Sequence, residues 1–176
     1  MKINTIAAVL KKERTVRVFH DEKNQALTNG HALYMINDLP PITTCEQLAA
    51  IIGLTKEQAG KFNLKVENEM PPIFSCKNVE ESYLEKSNLE YVFYGEKYSA
   101  FRNDSVLLFV RSNYLSPFKE FEDLYYYDRF DTERQTHSLA IEAGMFGTIG
   151  IIIPVKLEQY EFYSEFEKAY HLIKNK

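Results

Sequence analysis

Four histidines, two cysteines and several carboxylate clusters are the residues here that could do chemistry. A metal site needs three or four convergent ligands. His20, His31, His137 and His171 are scattered, and none makes an H-x-x-H or H-E-x-x-H spacing. Cys45 falls on the apolar stripe of a predicted helix, the setting of a buried, inert thiol, and Cys76 has no distinguishing neighbour. Glu120, Glu122 and Asp123, then Asp128, Asp131 and Glu133, could support acid–base or divalent-cation chemistry. On strands and turns such groups are ordinarily a solvated face. The glycines from Gly144 to Gly150 lead into a strand, so they present no helix N-terminus to a phosphate. No P-loop, G-x-G-x-x-G or G-x-S-x-G motif is present. The expectation is no catalytic residue, no cofactor and no metal.

Two stretches could instead form binding surfaces. Tyr125-Tyr126-Tyr127 puts tyrosines on both faces of a predicted strand, and acidic residues follow. Tyrosine is enriched at protein interfaces. Tyr125, Tyr127, Asp128 and Asp131 are therefore the candidate protein-interaction surface. The alternative lies at residues 46–62, which look like a helix-turn-helix. Ala49 is the small residue on the first helix, Gly53 makes the turn, Thr55 caps the second helix and Ala59 faces inward. A recognition helix there would offer Lys56, Glu57, Gln58 and Lys61 to DNA. It lacks arginine, carries a carboxylate and contains Gly60. An αα corner packed on a sheet needs the same residues.

The composition bounds the rest. The 176 residues suit a single domain, 1–176, large enough to bury about 70% of its unfolded surface. Hydrophobic residues at 45% and charged residues at 26% exclude a disordered chain or a coiled coil. The net charge of −4 disfavours whole-chain binding to nucleic acid. Two cysteines are too few for a disulfide framework. No apolar run approaches the ~18 residues of a membrane span, and no signal peptide is apparent. A cytoplasmic protein is expected.

The elements that would position these residues follow from periodicity. Ile3, Ile6, Ala7 and Leu10 make one helical face. A strand around Val16 and Val18 leads through Asn29-Gly30, a hairpin signal, to a second strand, His31 to Ile36. Thr44-Cys45-Glu46-Gln47 and Thr55-Lys56-Glu57-Gln58 are capping boxes, each opening a helix. A strand from Phe62 to Glu67 follows, and Asn78 to Lys86 is read as a helical turn or two. From Leu89 a meander is expected: strands to Tyr94, Lys97–Arg102, Ser105–Arg111, Leu124–Phe130, His137–Ala143 and Thr148–Val155. A closing helix from about Glu158 to Ile173 carries an apolar stripe including Phe162, Phe166 and Tyr170. Helices concentrate in about 1–87 and strands in about 88–176. The fold class is α+β, a mainly antiparallel sheet with helices packed on one face.

Asn29-Gly30-His31-Ala32-Leu33-Tyr34 followed by Leu39-Pro40-Pro41 resembles uncharacterised proteins carried by phages and mobile elements of Gram-positive bacteria. Those proteins share a G-x-A-x-Y strand and a Leu-Pro turn before a short helix. Tyr114-Leu115-Ser116-Pro117 and the strand Gly150 to Pro154 look similar too. The resemblance implies a phage or mobile-element protein and brings no activity. The order of elements is also similar to sliding-clamp domains, a fold-level analogy. The resulting expectation is a non-enzymatic accessory protein that binds a protein partner and is clamp-like in form. A dimer or ring would follow if sheet edges pair between chains.

Overall fold

The computed structural model describes residues 1–74 and 79–155. Cys76 and the expected helix from Glu158 to Ile173 lie outside them. Three α-helices are described: α1 (Ile3–Leu10), α2 (Cys45–Ile51) and α3 (Lys56–Ala59). Ten strands form one sheet: β1 (Thr15–His20), β2 (Gln25–Thr28), β3 (Ala32–Met35), β4 (Asn63–Glu67), β5 (Val79–Phe93), β6 (Glu96–Arg102), β7 (Leu107–Arg111), β8 (Leu124–Asp131), β9 (Thr136–Ala143) and β10 (Thr148–Ile152). Their order across the sheet is β4-β1-β2-β3-β10-β9-β8-β5-β6-β7. Every pairing is antiparallel except β1 with β4. The α+β class with a mainly antiparallel sheet is therefore correct. Among the described residues no helix is long and apolar enough to cross a membrane.

Local signals explain the early elements. Asn29 Oδ1 accepts the N–H groups of His31 and Ala32 at 3.0 Å each, and Gly30 takes φ +92°, so β2 turns tightly into β3. Both capping boxes form. Thr44 Oγ1 accepts Gln47 N–H and Thr55 Oγ1 accepts Gln58 N–H, each at 3.2 Å. Gly53, at φ +69°, closes α2 as a left-handed glycine does.

The segment expected to be helical, Asn78 to Lys86, is corrected by the structure. From Val79 it is the first part of β5, a strand of fifteen residues. Its charged residues show no helical stripe. They are held extended by pairing, Val79–Leu84 with β8 on one side and Glu85–Phe93 with β6 on the other. A register shift between Lys86 and Glu90 marks a bulge, which bends the strand.

The sheet as a whole is curled. β1 and β7 stand eight strands apart, about 38 Å in a flat sheet. Yet Arg111, ending β7, meets Glu13, just before β1, at 3.2 Å. The chain beyond β10 also returns to β7, where Val155 N–H donates to the Phe109 carbonyl at 2.8 Å. Within the curl lies the large core: Ile6 and Leu10 of α1, Leu48 of α2, and strand residues from Val18 round to Val110. A matched row crosses its floor through Val18, Leu27, Tyr34, Gly150, Ile141, Tyr126 and Leu84. Gly150 belongs there because Phe118, from the 3-10 turn Ser112–Phe118, occupies the space above it.

The outer face carries two smaller clusters. Met70, Ile73 and Phe74 cover Leu33, Met35 and Ile151, and Val155 packs with Tyr98 and Phe109. Irregular chain thus covers part of the sheet where helices were expected to be the covering layer. α3 buries no residue.

Candidate functional site

Strand alternation splits the candidate interaction surface. Tyr125, Tyr127, Arg129 and Asp131 project from the outer face of β8, whereas Leu124, Tyr126, Asp128 and Phe130 project inward. Tyr125, Tyr127 and Asp131 therefore share a face, and Asp128 does not. Asp128 is 3% exposed, so it does not belong to an outward surface. Period-two alternation along Tyr125 to Asp131 already contained this answer.

The outer face holds an aromatic ridge. Tyr83 of β5 lies opposite Tyr127, their rings edge-on with centroids 6.0 Å apart. Tyr83 is 53% exposed and Tyr125 46%. Arg129 anchors the ridge. Its Nε donates to Glu81, its Nη2 donates to Thr148 Oγ1 at 2.9 Å, and Glu142 stands 3.9 Å away. Nη1 is buried with no hydrogen-bond partner. Asp131 sits at the β8–β9 turn, where Arg134 and Glu133 N–H groups donate to it. Those bonds and the Arg134 guanidinium hold its carboxyl below the usual carboxylate range. At the opposite end of the sheet, Tyr94 tips the β5–β6 hairpin, and Met145 and Phe146 tip the β9–β10 turn, all strongly exposed. The glycines at 144 and 147 take positive φ on either side of that tip.

On the inner face, His137 Nδ1 lies 2.9 and 3.0 Å from the two Asp128 carboxylate oxygens. Its ring packs against Phe130. Burial pushes the Asp128 carboxyl above its ordinary value, and the His137 hydrogen bond opposes that shift. The sequence offers Asp128 as an acidic candidate and His137 as a lone histidine but does not join them, because β8 and β9 bring the two together only through their hairpin register. A histidine oriented by a buried carboxylate can relay a proton. Ser82 lies opposite Asp128 on the far side of β8 from His137, and its Oγ accepts from Asn103 Nδ2 at 3.0 Å. It is thus not placed as a nucleophile for that histidine. Among the described residues no group of three or more His, Cys, Asp or Glu side chains could hold a metal ion.

The helix-turn-helix-like corner is formed by α2, a turn at Gly53 and α3. α3 is one turn long. Lys61 Nζ pairs with Glu57 at 3.1 Å, and Gln58 Oε1 accepts Thr55 N–H at 2.9 Å. Lys56 therefore stands without help from the two neighbours expected to act with it. Cys45, expected in the core, is exposed. It occupies the first turn of α2, beyond the buried Leu48 and Ala49, and its Sγ lies 3.6 Å from the Leu64 carbonyl.

No protein family, curated protein or solved structure matches this chain.

Proposed function

We propose that this is a non-enzymatic accessory protein of a phage or mobile element, acting by binding another protein through the outer face of β5 and β8. The observation that carries the reading is the ridge of Tyr83 and Tyr125, both exposed, with the half-buried Tyr127 beside them. Tyrosine supplies large, rigid contact area with a polar tip, which suits recognition. Exposed apolar side chains grouped on a surface mark interaction sites. A clamp-like arrangement, in which the curled sheet presents the part of its outer face formed by β5 and β8 to a partner, belongs to this reading.

A photo-crosslinking amino acid at position 83 or 125 tests it in cells carrying the natural gene. A discrete adduct with one protein, absent when the crosslinker sits at Lys12, is the expected result. Equal labelling at all three positions would overturn the assignment of this face. DNA binding through residues 46–62 predicts instead a salt-sensitive association with duplex DNA that Lys56→Ala weakens.

A further inference from the structure

We propose that a second copy of this chain pairs antiparallel with the open edge of β4. Within the described chain β4 is a terminal strand whose only neighbour is β1. Asn63 N–H donates to the Arg14 carbonyl at 2.9 Å. In a parallel pair the backbone groups of alternate residues point to the same side. Asn63, Lys65 and Glu67 therefore serve β1, and Leu64 and Val66 present their N–H and C=O groups to the free side. The Leu64 carbonyl meets only the Cys45 thiol, a weak donor. Open strand edges of this kind are templates for another strand.

Charge selects the occupant and its register. Lys65 lies beside Arg17, so two cations are adjacent on the outer face. Among the described residues neither Lys65 nor Glu67 has an ion-pair partner. Place a two-fold axis so that Val66 faces Val66 of the second copy. The two Val66 residues then exchange backbone hydrogen bonds. Lys65 of each copy stands opposite Glu67 of the other, twice over, as an isologous interface requires. Sliding the pair so that Leu64 faces Val66 would instead set Lys65 against Lys65, and like charges directly opposite are unfavourable.

Apolar surface lies at the same edge. A groove of about 470 Å³ beside β4 is lined by Ala49, Leu54, Ala59, Phe62 and Leu64, with Cys45 among its lining residues. The two-fold axis brings the two α2–α3 corners, and hence the two grooves, towards one another.

Sedimentation velocity over a micromolar concentration series tests this on the full chain. The wild type is expected to dimerise. Lys65→Glu alone and Glu67→Lys alone are each expected to weaken the dimer about tenfold or more, because each opposes like charges twice. An equimolar mixture of those two variants should recover a heterodimer, and the double exchange Lys65→Glu with Glu67→Lys should recover the homodimer. Such recovery also shows that the single variants are folded. A wild type that stays monomeric overturns the proposal, as does a dimer indifferent to the single changes.

Discussion

Replacing Gly150 with alanine adds one methyl group to the core floor, and the structure says what it meets. The new Cβ would lie 2.2 Å from Phe118 Cζ, 2.7 Å from Cε1 and 3.1 Å from the Leu33 carbonyl. Gly150 is not among the positive-φ glycines, so the backbone itself accepts alanine. The difficulty is space. The ring must retreat by more than an ångström, yet Phe118 is fully buried and packs on Tyr34 with centroids 5.4 Å apart. The Leu33 carbonyl belongs to β3, next to β10, and has little freedom. Overpacking of this kind costs about 1–3 kcal/mol. Loss of unfolded-state freedom returns about 0.4–1 kcal/mol. The net expectation is a destabilisation of about 1–2 kcal/mol, or a Tm lower by roughly 2–8 °C for a chain of this size. Thermal and urea unfolding measure it. Phe118→Leu should cost less in the Gly150→Ala background than in the wild type, with a coupling of about 1 kcal/mol. A Gly150→Ala protein as stable as the wild type, or strict additivity of the two changes, would refute the packing argument.

The Asp128 carboxyl is raised by burial, so its ionised form costs stability at neutral pH, and that cost fades as pH falls through the raised pKa. Asp128→Asn, which keeps an acceptor for His137, should be at least as stable as the wild type at about pH 7, with the gap closing by about pH 4 in thermal melts. Asp131 has the opposite sign. Its stabilisation is present above the ordinary carboxylate pKa and is lost as pH falls through the lowered value, so Asp131→Ala should speed amide exchange at residues 132–135 at neutral pH and make little difference in strong acid. Thr44→Ala removes the α2 cap and should cost about 1 kcal/mol in urea unfolding, more than Thr55→Ala, because α2 reaches the core and α3 does not. In a Cys76→Ala background, Cys45 should react with a chromogenic disulfide reagent without unfolding. Reaction only in denaturant would contradict its exposed position.

What was legible in the sequence is what depends on neighbours a few residues apart. Both capping boxes are three-residue relations, the Asn29-Gly30 turn is a two-residue one, and the apolar face of α1 repeats within a single helix. Alternation gave strands where side chains visibly change sides, as at Leu124 to Phe130. The same alternation separates Asp128 from Tyr125 and Tyr127, although the three stand close together along the chain.

What only the tertiary structure decided depends on partners distant in the chain. Val79 to Lys86 carries no apolar period of either kind, so its extended form comes from β8 and β6, which supply the hydrogen bonds that a helix would have made internally. The placing of β10 between β3 and β9 brings strands from the two ends of the sequence together, and no local pattern specifies that order. The Asp128–His137 pair, the Arg129 cluster and the bareness of Gly150 are all products of register across the sheet. Residues 46–62 show the limit most plainly. Their types suit a helix-turn-helix and an αα corner equally, and the second helix stops after one turn because Gly60 and the return to β4 leave it no further length.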